Sequence, residues 1–130
     1  MQANLLTLAL IALQPAETGL DGRWSNPSGS VIISMTSCND TPCGKVEWAS
    51  EKAKADARKG GTDPLIGALL LHHIERRSEG RWKARLFVPD LNNSSKVELR
   101  LLGPDRLKVT GCLIGRLACK SQIWTRAEAE

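Results

Sequence analysis

Tyrosine is absent from the 130-residue chain, and Phe87 is the single phenylalanine beside four tryptophans. Sites for single-stranded nucleic acid stack bases on a series of aromatic rings, so this shortage argues against a nucleic-acid partner. Histidine is nearly as scarce, with only His72 and His73. Neighbouring residues on a strand point to opposite faces, so the two are not expected to ligate one ion. No clustered carboxylates or cysteines complete a set, and neither a metal nor a cofactor is expected. The chain also lacks a serine in a nucleophile elbow. Gly60-Gly61 alone does not make a phosphate-cradling loop. Asp56, Asp63 and Asp90 have no spacing that pairs them for acid–base work. Asp63 before Pro64 and Asp90 after Pro89 read more simply as turn residues. A non-enzymatic protein is expected.

Long apolar runs are missing as well. The longest, from Leu5 to Leu13, is too short to cross a bilayer but suits the apolar stretch of a secretory signal. Gln14-Pro15-Ala16 then supplies a break and a small residue, so residues 1–16 are expected to be a signal peptide and 17–130 a single domain. Export to the periplasm or the exterior is the expectation. The four cysteines agree with it. Four residues separate Cys38 from Cys43, and six separate Cys112 from Cys119, each pair at the tip of an expected hairpin. They read as two local disulfides of an oxidising compartment, each contributing on the order of 2 kcal/mol through chain entropy.

What the chain does have is alternation. Val31, Ile33 and Met35 share one face of a strand, and Val46 and Trp48 one face of the next. Val97, Leu99 and Leu101 stand opposite Lys96, Glu98 and Arg100; residues 82–86 and 106–110 repeat the pattern. Turns such as Asn26-Pro27-Ser28-Gly29 and Gly103-Pro104-Asp105 separate the runs. About eight strands joined in sequence predict an all-β, antiparallel up-and-down barrel. Segment 49–59, rich in Ala, Lys and Glu, is expected to form one short helix stopped by Gly60-Gly61, either a connector or a lid. The net charge of +4 is carried by lysines and arginines interleaved with Glu47, Glu75, Glu79 and Glu98, the pattern of a solvated barrel exterior.

A small barrel must be plugged where its ends meet. Trp24 near the start, and Trp124 with Arg126 near the end, are expected to close it, the guanidinium lying over an indole face. The inward positions Val31, Ile33, Trp48, Trp82, Leu99 and Val109 are the candidate contact surface for a small apolar or amphipathic ligand. His72 or His73 would be its polar handle. If side chains fill the barrel, an envelope module contacting a protein or surface polymer is the alternative. A loop hydrolase built on Asp63, Asp90 and a histidine is a third reading.

The chain further resembles the bacterial family known as domain of unknown function 2147. The resemblance rests on Gly22-Arg23-Trp24, Cys43-Gly44-Lys45-Val46-Glu47-Trp48, Asp63-Pro64-Leu65-Ile66-Gly67 and Gly80-Arg81-Trp82-Lys83. It continues through Phe87-Val88-Pro89-Asp90 and closes on Cys119-Lys120-Ser121-Gln122-Ile123-Trp124-Thr125-Arg126, the most specific run. It implies a lipocalin-like (calycin) barrel and export rather than an activity. Residues 59–64 and the segment after Asp90 depart from the family pattern, both at expected loops near a barrel mouth.

Overall fold

The computed structural model describes residues 19–112 and 119–127. The expected signal peptide, residues 1–16, lies outside them. The chain forms eight strands: β1 (Gly22–Ser25), β2 (Val31–Cys38), β3 (Thr41–Ala49), β4 (Leu69–Ser78), β5 (Arg81–Val88), β6 (Asn93–Gly103), β7 (Arg106–Cys112) and β8 (Cys119–Arg126). Each pairs with the next antiparallel, and β8 returns to β1, closing an eight-stranded up-and-down barrel. The one helix, α1 (Glu51–Lys59), comes after β3. This is the architecture that the alternation predicts.

Closure rests on few residues. Trp24 pairs with Arg126, and Ser25 with Thr125. The Trp24 indole is fully buried, and its Nε1 donates to the Leu20 carbonyl at 2.9 Å. The Arg126 guanidinium lies 4.0 Å above the Trp24 ring, a contact worth about 0.5–2 kcal/mol. The same guanidinium donates to the carbonyls of Gly19 and Asp21 before β1, and of Pro104 in the β6–β7 turn. One side chain thus ties three chain segments across the closed end. Gly22, at φ +116°, leaves room for it, since a Cβ there would lie 2.9 Å from Arg126 Nη1. Cys38–Cys43 and Cys112–Cys119 are both bonded, the first spanning the β2–β3 turn, the second a cross-strand pair of β7 and β8.

Bulges set which side chains enter the barrel. Between β2 and β3 the pairing steps from Ile32–Trp48 to Ile33–Val46, leaving Glu47 as the extra residue. Such a slip changes the parity of everything beyond it. Trp48 is therefore turned outward and is 47% exposed, while Val46 and Ala49 are buried. Its expected place in the interior is corrected by this bulge. A second bulge, opposite Gly44 and Lys45, lets the consecutive Leu70 and Leu71 both be buried, which accommodates an apolar run on both faces. Leu69 and Ile66 stay partly exposed.

The helix has local causes. Ser50 is its N-cap and accepts from the Ala53 N–H at 3.1 Å. Glu51 begins it and Arg58 and Lys59 end it, complementing the helix dipole. Ala57 is fully buried and Ala53 packs on the core. At its end, Thr62 Oγ1 donates to the Pro89 carbonyl at 3.0 Å, fixing the helix segment to the β5–β6 loop.

Candidate functional site

The two ends of the barrel differ. The closed half is packed with Trp24, Met35, Trp82, Leu99, Leu107 and Val109, all buried. At the other end, where the β1–β2 turn, α1 and the β5–β6 loop converge, a cavity of 560 Å³ opens to solvent. Its walls are Val31, Ile33, Leu65, Leu70, Leu86 and Phe87, with Trp124 also in the lining. That size falls within the range of small-molecule sites, which are mainly apolar with a few placed polar groups.

The polar groups sit at two levels. On β8 the exposed Gln122 and the buried Trp124 share the face that lines the cavity, and Gln122 Oε1 accepts from the indole Nε1 at 2.9 Å. Among the described residues the Gln122 amide donors have no partner. At the rim, Asn26, Ser28 and Ser30 hydrogen-bond one another, with Asn26 Nδ2 3.0 Å from Ser30 Oγ and the two hydroxyls 2.8 Å apart. Across from them Lys52 donates to Asp56 at 2.8 Å. That hydrogen bond holds the Asp56 carboxyl below its usual value and Lys52 above its own. Asp90 lines the rim as well.

Of the positions expected to contact a ligand, Val31 and Ile33 line this cavity. Trp82, Leu99 and Val109 are buried in the packed half instead. Trp48 is outside, turned away by the β2–β3 bulge. Trp24 and Arg126 meet at the closed end, whereas Trp124, expected beside them, lines the cavity. Leu65, Leu70, Leu86, Phe87 and Gln122 were not anticipated. For Gln122 and Leu86 a signal existed: strict alternation puts them on the same faces as Trp124 and Trp82.

His72 and His73 are the clearest correction. Between β4 and β5 the pairing passes from His72–Arg85 to Glu75–Lys83, so β4 carries an extra residue. His73 takes a left-handed conformation at φ +53°, and the rings meet edge to face with their Nδ1 atoms 2.7 Å apart. A bulge thus brings together two neighbours that a regular strand would separate. The pair lies beside Arg85, is not part of the cavity lining, and supplies no handle for a ligand there. Among the described residues no group of three metal-ligating side chains exists. The residues of the hydrolase reading are dispersed, with Asp90 at the rim, Asp63 exposed in the connection after α1, and the histidines on β4.

His72 titrates below the usual imidazole value, first because it is partly desolvated, then because His73 and Arg85 oppose a positive charge. The fold therefore favours neutral His72, while the unfolded chain takes up a proton near pH ~6.5. Stability gained from this site is present above that pH and is lost as the pH falls below it. His72→Gln is expected to flatten the fall in unfolding free energy between about pH 7.5 and 5, measured by urea titration at each pH. An unchanged slope would assign that fall to other groups.

The barrel has a solved counterpart. Protein HP1028 from Helicobacter pylori, described as belonging to the lipocalin family, matches with a TM-score of 0.63 and 11% identity over 84% of this chain and 83% of that one. At that identity the likeness shows the fold alone. No curated protein matches the sequence. The two disulfides fit an oxidising, non-cytoplasmic compartment, and among the described residues no helix is long and apolar enough to cross a membrane. Residues 22–126, from the start of β1 to the end of β8, match the family described as uncharacterized protein conserved in bacteria (DUF2147), and the chain belongs to that family.

Proposed function

We propose that this protein is an exported, non-enzymatic barrel, periplasmic or secreted, that holds a small, partly apolar molecule in its mouth cavity. The observation that carries this reading is the 560 Å³ mainly apolar cavity in a barrel whose other inward side chains, Trp24, Trp82, Leu99 and Leu107 among them, are buried. Removing apolar ligand surface from water is worth roughly 25 cal/mol per Å², and the walls offer little else. The Gln122 amide is the donor in reach of a ligand's polar end, replacing the histidines in that role. The rim, with one ammonium, two carboxylates and the neutral side chains of Asn26, Ser28, Ser30 and Ser50, suits a neutral or zwitterionic head better than a multiply charged anion.

Titration with a medium-chain fatty alcohol or an apolar fluorescent probe tests the idea, because Trp124 reports from the cavity. Wild-type emission is expected to shift on binding, and Trp124→Phe to lose most of that signal. Val31→Phe, which fills the half-buried rim, is expected to weaken probe binding by at least about tenfold with little change in Tm, since Val31 is not in the closed core. Wild-type protein that leaves every such probe free at millimolar concentration would sink the reading. Mass spectrometry of protein purified from its own compartment identifies a retained ligand.

A further inference from the structure

Along the chain the cations look dispersed; round the barrel they do not. In β5–β6–β7 register, Arg85 stands opposite Lys96, and Arg81 opposite Arg100, which is itself opposite Lys108. Lys83 faces Glu98 between these rows. The intervening residues Trp82, Ala84, Val97, Leu99, Leu107 and Val109 are buried, so by parity these charges share the outer face. None of the six cations makes a salt bridge; the ion pairs among the described residues are Arg23–Glu47, Lys52–Asp56 and Lys54–Glu51. Directly opposed like charges destabilise a sheet. The fold carries that cost on one face, with Glu98 as the single carboxylate of those three strands there.

The face is also concave at the mouth end. Lys83, Arg85 and Lys96, with the Glu98 carboxylate and the hydroxyls of Ser94 and Thr110, line a groove of 680 Å³. Just before it, in the β5–β6 loop at the mouth rim, Leu91 is 69% exposed. Strands are about 4.8 Å apart and same-face residues about 6.6 Å apart along them. The cations therefore cover a patch about 10 Å across the strands and about 13 Å along them, broader than one phosphate group. Arg offers a planar fork and Lys a point charge to phosphate oxygens.

We propose that this outer face docks the barrel onto a bilayer bearing anionic phospholipid headgroups. Charge complementarity selects that partner: each Lys or Arg near an anionic leaflet contributes about 1 kcal/mol, a fewfold in affinity. The exposed Leu91 and the mouth lie at the groove end of the patch, so docking brings the cavity to the lipid surface.

Co-sedimentation with vesicles tests this, using phosphatidylglycerol mixed with phosphatidylethanolamine against phosphatidylcholine alone. Two double variants are compared. Lys96→Glu with Lys108→Glu turns two like-charged pairs of the face into opposite-charged ones. Lys45→Glu with Arg58→Glu reverses two exposed cations elsewhere, on β3 and α1. Each variant takes the formal net charge from +4 to zero (4 − 2 × 2). Wild type is expected to bind the anionic vesicles only and to be released by salt. The face variant is expected to bind at least about tenfold more weakly while its Tm stays level or rises. The control variant is expected to bind within about threefold of wild type. Indifference of the wild type to anionic vesicles overturns the proposal. So does equal loss in both variants, which means net charge alone acts. Full release by millimolar glycerol phosphate overturns it too, assigning the groove to a soluble phosphate compound.

Discussion

Trp24→Ala is expected to lower the unfolding free energy by about 3–5 kcal/mol, the range for emptying a buried large aromatic position. Trp24 is fully buried, carries the Leu20 hydrogen bond, and is the surface on which the Arg126 guanidinium rests. Its removal leaves a hole at the seam where β1 and β8 pair through only two residues each. Against a typical total of about 5–15 kcal/mol, the variant should be marginal, with Tm lowered by more than about 12 °C. Should it fail to fold, Trp24→Phe keeps part of the packing and loses the indole hydrogen bond. It is expected to cost about 1–2 kcal/mol. Arg126→Lys separates the lid from the plug, because an ammonium cannot span the carbonyls of Gly19, Asp21 and Pro104 that the guanidinium fork reaches. Thermal and urea unfolding measure all three. A Trp24→Ala protein as stable as wild type would show that the barrel closes without its plug.

The second large effect is expected at Gly60, where α1 ends. Its conformation is ordinary, φ −83° and ψ −4°, so backbone freedom is not the reason for glycine. Space is. A Cβ there would overlap the Asp90 carbonyl and approach Asp90 Cα to 2.8 Å, and these are backbone atoms that cannot rotate away. Gly60→Ala must push the helix end from the β5–β6 loop, at about 1–3 kcal/mol for such overpacking. Because the two segments form adjoining parts of the mouth, the same variant should weaken binding of an apolar probe. Gly29→Ala in the β1–β2 turn is the contrast. It has nothing within 4 Å but sits at φ +73°, so it pays only backbone strain, roughly 1 kcal/mol, and leaves the helix seated. If Gly60→Ala matches wild type in both stability and probe affinity, the mouth is not held by this contact.

The connection after α1 and the β5–β6 loop meet here. Thr62 bonds to Pro89, and Gly60 packs on Asp90.

Much of the fold could be read directly. Val97, Leu99 and Leu101 alternate with charges because β6 has one face in the core and one in water, and period two is a consequence of strand geometry. Ser50, Glu51 and Gly60 bound the helix because caps answer unpaired backbone groups locally. Trp24 and Arg126 announced the seam since a short barrel needs a plug and a lid. These are properties of neighbours in sequence. The cavity was legible only in part. Val31 and Ile33 belong to it, but Trp48 does not, and the two histidines meet outside its lining. In each case a one-residue bulge reverses the facing of the residues beyond it, and a bulge is decided by how a strand registers with its partner, not by its own residues. The gathering of cations on β5, β6 and β7 has the same origin. Arg85 and Lys96 are eleven positions apart in the chain and become opposites only when two strands pair. Local chemistry wrote the strands, the turns and the helix; long-range pairing chose which side chains face the hollow, which face water, and which like charges must stand together.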